Sequence, residues 1–329
     1  MPHGVKVIIL SDIHYASAAE QARGADYEFR CVPNPATRIL LKVFRRFFWL
    51  RDPLKRNPLL EKFLKESGQA ECVVANGDYC CDTEYLGVSD DAACQSVREC
   101  LAKLRGKFGA SLRANIGDHE LGKFSLAGAR GGMRLASYYR AREELGLEPF
   151  WRLKLGRYVL IGLTSSLVAL PAFEAETLPE ERAEWERLRQ GHLADIRAAF
   201  SSLESRERVL LFSHDPTALP FLWREDCVRR RLPQIEQTII GHLHSNLILW
   251  KSRVLAGMPA IGFLGAPVRR MTAALRDARY WKPFRVRLCP SLAGIELLKD
   301  GGYYTAELDL DAVHPARFQF HRLSPALAL

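Results

Sequence analysis

The chain has 329 residues, of which 48% are apolar, enough for a sizeable globular core. Against 38 Asp and Glu stand 47 Lys and Arg, and the resulting formal charge of +9 suits an anionic substrate, an acidic membrane surface or nucleic acid without choosing among them. No stretch reaches the roughly 18 apolar residues of a membrane span, and the 8 cysteines show no C-x-x-C pair and an adjacent Cys80-Cys81, a poor disulfide framework that points to a reducing compartment.

Residues 5–10 (Val-Lys-Val-Ile-Ile-Leu) read as a strand buried on both faces, and Asp12 and His14 follow it two apart, on one side of an extended chain. That strand is too short for a signal-peptide core, so a cytoplasmic location is expected, soluble or at most peripheral to the inner face of the membrane. Residues 15–70 form a long insert. Within it Arg38 to Arg51 mixes nine apolar residues among the twelve from 39 to 50 with Arg38, Lys42, Arg45, Arg46 and Arg51. Helical spacing puts the cations at 38, 42, 45 and 46 on one face. Such a helix either packs its apolar face on the domain with its arginines solvated, or caps the site, or lies on a membrane with a basic rim toward anionic headgroups.

A second strand at 71–76 leads to Asp78 and Asp82. Ser89-Asp90-Asp91 opens a helix over 92–105, and a third strand at 112–116 runs into Gly117-Asp118-His119-Glu120. A glycine-rich segment (Gly122, Gly128, Gly131, Gly132) then leads to a helix at 135–145. Residues 150–155 and 158–163 flank Gly156-Arg157 as a hairpin, and Pro179 opens a charged helix. Strands at 209–212 and 238–240 deliver His214, and then His242 and His244. Further strands are expected at 260–264, at 294–298 and 303–308 around Lys299-Asp-Gly-Gly302, and at 316–321. The C-terminal extension at about 268–329 therefore reads as β-rich, completing the second sheet of a single domain over 1–329. Arg229-Arg230-Arg231 lacks interleaved aromatics, so no specific nucleic-acid partner is expected.

Five apolar strands each end in residue types that bind metals, and in α/β proteins the carboxyl ends of the strands form the ligand-binding rim. Imidazole and carboxylate suit Mn, Fe, Zn or Ni, and a pair of such ions acidifies water and clamps an in-line displacement at phosphorus. Asn115, Arg113 and Asn246, adjacent to these motifs, are candidate substrate contacts. Glu120 is read as hydrogen-bonding a ligand imidazole or as forming a surface salt bridge.

The order D-x-H, G-D, G-D-H-E, H, G-H-x-H resembles the calcineurin-like metallophosphoesterase superfamily over residues 5 to about 265. The resemblance implies a four-layer αββα sandwich of two mixed sheets with helices outside. It assigns two divalent ions, Mn foremost: Asp12, His14 and His244 to the first, Asp118, His214 and His242 to the second, and Asp78 to both. It implies a bridging hydroxide attacking a phosphodiester, pyrophosphate or phosphomonoester, with His119 assisting the leaving group. Asp118 departs from the family's Asn and adds a negative charge, which tilts the expectation toward diesters or pyrophosphates. Asp82 stands one residue further on than the aspartate of related phosphatases, leaving the orienting partner of His119 open. The substrate is expected to be a phosphorylated small molecule or a lipid, since the insert from Arg38 resembles lipid-facing insertions in the superfamily. A scaffold that keeps the fold without catalysis is the alternative.

Overall fold

A computed structural model describes residues 4–30, 32–125, 130–259 and 266–323, the side chains of 266–271 excepted. Among the described residues ten strands form two five-stranded sheets. β1 (Gly4–Leu10), β2 (Cys72–Ala75), β3 (Leu112–Ala114), β9 (Gly302–Asp309) and β10 (Arg317–Arg322) make the first, in the order β10-β9-β1-β2-β3. β4 (Phe150–Leu155), β5 (Tyr158–Leu163), β6 (Arg208–Ser213), β7 (Ile235–Ile240) and β8 (Val286–Leu288) make the second, in sequence order. β1, β2 and β3 run parallel, as do β5 through β8, while β9, β10 and β4 are antiparallel additions.

Side-chain alternation explains the layering. Val7, Ile9 and Val74 point between the sheets, where they meet Trp151, Tyr158, Leu160, Leu210, Phe212 and Ile239. Their neighbours Ile8, Leu10, Val73 and Ala75 point outward, into a cluster with Leu60, Phe63, Val97 and Leu101 from helices Asn57–Glu66 and Asp91–Phe108. On the second sheet Val159, Ile161 and Leu211 belong to the same outer cluster as Trp185, Ile196 and Phe200 of helix Arg182–Ser201. Both faces of each central strand are therefore buried, which is why these strands read as continuous apolar runs. The result is a four-layer αββα sandwich.

Two readings of the C-terminal part are corrected. Residues 294–298 are not a strand: Asp300 accepts the Ile295 amide, the amides of Leu298 and Lys299 turn back to the Ile295 carbonyl, and Gly294 sits at φ 65. The hairpin is instead β9–β10, and β9 takes the edge of β1 with Val7 opposite Ala306. The extension thus serves both sheets, β8 joining the second and β9 and β10 the first, and it opens with a helix, Ala266–Asp277. The strand read at 260–264 and Gly128 lie outside the described residues. The seven described cysteines are free thiols.

The basic helix is Pro35–Phe47, capped by Asn34 Oδ1, which accepts the Ala36 and Thr37 amides. Its orientation is the reverse of a helix that packs its apolar side on the domain. Arg45 is buried, pairs with Glu28 at 3.0 Å, donates to the Ala25 and Leu50 carbonyls and lies over the rings of Tyr27 and Phe29. Arg38 donates to the Val32 carbonyl, and Lys42 pairs with Asp26. Arg38, Lys42 and Arg45 are turned onto residues 25–29 and Val32, and the apolar face is turned to solvent. No helix among the described residues is long and apolar enough to cross a membrane.

Candidate metal centre

Every candidate ligand lies beyond the carboxyl end of a strand, on one rim of the sandwich. Asp12 and His14 follow β1, Asp78 follows β2, Asp118 and His119 follow β3, His214 follows β6, and His242 and His244 follow β7. The turns are tight. Asp12, His14, Asp78, His242 and His244 all have positive φ, between 51 and 59, a region that non-glycine residues seldom enter and that clusters at functional sites. After β7 the Leu243 amide reaches the Gly241 carbonyl and the Ser245 amide the Leu243 carbonyl, both at 2.6 Å. The loops after β1 and β2 run side by side, the His14 amide donating to the Asp78 carbonyl and that of Tyr15 to the Tyr79 carbonyl. Close approach also demands glycine: a Cβ on Gly117 would collide with the Asp78 carboxylate, and one on Gly241 with Ser11 Oγ.

These turns bring the side chains into two groups. Asp12, His14 and His244 offer one ligand atom each, all within 4.8 Å of one another, and so do Asp78, Asp118, His214 and His242. Asp78 also groups with His14 and His119, so its carboxylate stands between the two sets. Backbone carbonyls fix the rings: His14 Nδ1 faces the Cys80 carbonyl at 3.1 Å, and His214 Nδ1 faces that of Asn76 at 2.6 Å, which turns each Nε2 inward. The His242 amide donates to both oxygens of Asp12, and Ser11 Oγ donates to Asp12 Oδ2.

The donor set fits divalent cations. His14 Nε2 and His244 Nε2 face each other at 3.2 Å. Asp78 Oδ2 and His214 Nε2 are 3.0 Å apart and fully buried, yet neither forms an aligned hydrogen bond. Buried polar atoms that lack an aligned hydrogen bond are rare enough to ask for a ligand, and three carboxylates with four imidazoles are the hard-to-borderline donors that Mn, Fe, Zn or Ni accept.

The electrostatics follow from three buried carboxylates. Burial opposes ionisation of Asp12, but His214 and a hydrogen bond from His244 hold its pKa down to about 2. Burial lowers His14 to about 4. For His242 burial pulls the other way but is outweighed by Asp118 and Asp215, which raise it to about 9, and Asp78 and Asp12 likewise raise His214.

His119 stands beside Asp78, its Nε2 3.7 Å from Asp78 Oδ2. Its Nδ1 faces the Cys81 carbonyl at 3.0 Å, so a backbone carbonyl, not Asp82, orients the ring. Asp82 instead accepts the amides of Leu86 and Gly87 and holds the following loop. Burial, together with Lys123, lowers His119 to about 3, which leaves a neutral imidazole with its proton on Nδ1. Lys123 went unnoticed in the sequence. Its Nζ pairs with Asp118 Oδ2 at 2.9 Å and touches His119 Nε2. Its spacing, four after His119, was the available signal. Trp49 is a second such residue, its ring stacked on that of His244 at 4.9 Å.

Glu120 is neither a partner of a ligand imidazole nor a surface salt bridge. It is fully buried and accepts the amides of Asp78, Tyr79 and Gly117, tying the loops after β2 and β3 together. Burial and the nearby Asp78 push its pKa up to about 8, against those three N–H groups. Asn115 is buried between the sheets, its Nδ2 donating to Asn76 Oδ1 at 2.7 Å and its Oδ1 accepting Trp151 Nε1 at 2.6 Å, so the amide is spent inside the fold and cannot meet a substrate. Arg113 turns back to the carbonyls of Ala110 and Leu112 at the start of its own strand, the end remote from the rim. Asn246 is exposed, two residues beyond His244.

No protein-family model matches the chain, and no curated protein matches it. Among solved structures the chain is similar to the phosphopantetheinyl hydrolase PptH from Mycobacterium tuberculosis, at 15% identity over 74% of this chain and 84% of that one, with a TM-score of 0.36.

Proposed function

We propose that this protein is a metal-dependent phosphohydrolase of the calcineurin-like metallophosphoesterase type. The observation that carries the reading is the placement of Asp78 between two ligand groups built from five strand ends. Asp12, His14 and His244 would hold one divalent ion, Asp118, His214 and His242 a second, and Asp78 would reach both. Two such ions supply Lewis-acid charge to a phosphoryl group and acidify water.

The chain's own groups do the rest. Asp12 and His14, held by the β1 turn, are in the ionisation states that bind metal, an anionic carboxylate and a neutral imidazole at neutral pH. His119 presents Nε2 beside Asp78, where it would assist a leaving oxygen, and Lys123, in contact with that nitrogen, would lend a positive charge to a departing oxyanion. Lys123 also offsets the charge that Asp118 adds, so the tilt toward diesters and pyrophosphates is weaker than the carboxylate alone implies. Manganese is the metal to try first, and Asn246 the side chain to test for substrate contact.

Hydrolysis of bis-p-nitrophenyl phosphate and p-nitrophenyl phosphate by Mn²⁺-loaded protein tests the reading. Turnover should vanish in Asp78→Ala. A folded wild type that binds two Mn²⁺, Fe²⁺, Zn²⁺ or Ni²⁺ ions and turns over neither ester would overturn it in favour of a non-catalytic scaffold.

A further inference from the structure

Helix Pro35–Phe47 displays to solvent what a surface helix ordinarily buries. Ile39 is 63% exposed, Leu40 67% and Phe47 58%, and Val43, Phe44 and Phe48 are exposed as well. At about 100° per residue these positions form one stripe, with Arg46 along one edge. The stripe is held outward, because Arg38, Lys42 and Arg45 anchor the opposite face on residues 25–29 and Val32. It continues across the fold through Leu297 and Leu298, also exposed, where the Glu296 amide donates to the Trp49 carbonyl and Leu297 to that of Phe48. Trp49, next in sequence to Phe48, stacks on His244. The apolar surface therefore adjoins the metal-site rim. Soluble monomers rarely expose so many large apolar side chains on one element.

We infer that this face seats the protein on an anionic lipid bilayer. Charge selects that occupant. From Val32 to Lys55 the only acid is Asp52, against the six cations Arg38, Lys42, Arg45, Arg46, Arg51 and Lys55. Arg46, Arg51 and Lys55 are exposed and form no ion pair among the described residues. Two copies meeting through this face would oppose two basic stretches, whereas acidic headgroups neutralise one. The apolar side chains enter the boundary between headgroups and acyl chains, with the free cations at headgroup level, the arrangement of an interfacial amphipathic helix. The site rim then faces the lipid. Taken with the phosphohydrolase reading, on which this last step rests, the substrate is met at the membrane surface.

Flotation with vesicles of phosphatidylcholine containing about 30% phosphatidylglycerol, and with pure phosphatidylcholine, tests the docking. The wild type should float with the anionic vesicles, and Asp78→Ala should float equally, which separates docking from hydrolysis. Phe44→Asp/Phe47→Asp should lower the bound fraction about tenfold or more, and Arg46→Glu/Arg51→Glu or high salt should lower it several-fold. Circular dichroism melting of each variant, unchanged at such exposed positions, guards against misfolding. Wild type that stays in solution with both vesicle types overturns the proposal, as does flotation that both double variants leave intact. A dimer in light scattering that Phe44→Asp/Phe47→Asp dissolves, without flotation, would reassign the face to a second copy.

Discussion

Replacing Lys123 by Met keeps the aliphatic stem and removes one charge from beside Asp118. That charge is 2.9 Å from Asp118 Oδ2. Lys123 raises its own pKa against burial through Asp118 and Asp78, and Asp118 is held well below the carboxylate range, against its burial, by Lys123 and His242, so the two partners agree on a strong pair. Breaking a buried pair costs about 3–5 kcal/mol. With 23% of the Lys123 side chain exposed, the lower end, about 3 kcal/mol, is appropriate. Unfolding entropy of about 2.1 cal/mol/K per residue, summed over 329 residues, is about 0.7 kcal/mol/K, so the metal-free melting temperature should fall by about 4 °C. A divalent ion restores a cationic partner to Asp118. Mn²⁺ should therefore raise the melting temperature of Lys123→Met by about 4 °C more than it raises that of the wild type. Differential scanning calorimetry, with chelator and then with Mn²⁺, reads both numbers. An unchanged metal-free melting point, or a Mn²⁺ shift no larger than that of the wild type, would refute the charge-balance argument.

Three further perturbations bear on other parts of the structure. Gly117→Ala drives a Cβ into the Asp78 carboxylate, so the metal content measured by mass spectrometry should fall below two ions and turnover by at least about 100-fold; full occupancy would show that the loop can yield. Asn115→Ala strands Trp151 Nε1 and Asn76 Oδ1 and should cost about 2–4 kcal/mol in urea unfolding with KM for the soluble diester unchanged, whereas a raised KM would return Asn115 to the substrate. His192 is buried, accepts the Thr164 amide on Nε2, and has its pKa lowered by that burial from 6.5 to about 4. Between those values the unfolded chain binds a proton that the folded chain refuses, so stability present above pH 6.5 is lost as the pH falls toward 4, by about 3 kcal/mol. His192→Gln should flatten that part of the stability–pH curve measured in chelator, and an identical slope would rule His192 out as its source.

The central strands were legible because burial on both faces leaves little room for polar residues, and the ligands were legible because each stands within a few residues of such a strand. What sequence could not supply was direction. Helix Pro35–Phe47 has the same amphipathic pattern whichever face is inward. The face that packs is decided by Asp26, Tyr27, Glu28 and Phe29, which meet its cations from a separate 3-10 turn. The segment 294–298 looked like a strand because Ile295, Leu297 and Leu298 are apolar, yet a side-chain carboxylate, Asp300, bends it. Asn115 and Glu120 sat beside motifs and so invited functional roles, while their partners, Trp151 and the amides of the β2 loop, lie 36 and about 41 residues away in sequence.

The pairing of β1 with β9 sets an order on biosynthesis. β1 leaves the ribosome long before its second hydrogen-bonding neighbour, β9, which begins at Gly302. The contact between His14 and His244 likewise closes a loop of 230 residues. Through most of translation one edge of β1, carrying Val7, Ile8 and Ile9, has no partner, and the metal ligands of the two sheets belong to halves that have not met. A nascent chain of this kind is slow to complete and exposed to aggregation until β9 emerges. Shortened forms that end before β9 should be insoluble even though they retain every candidate ligand.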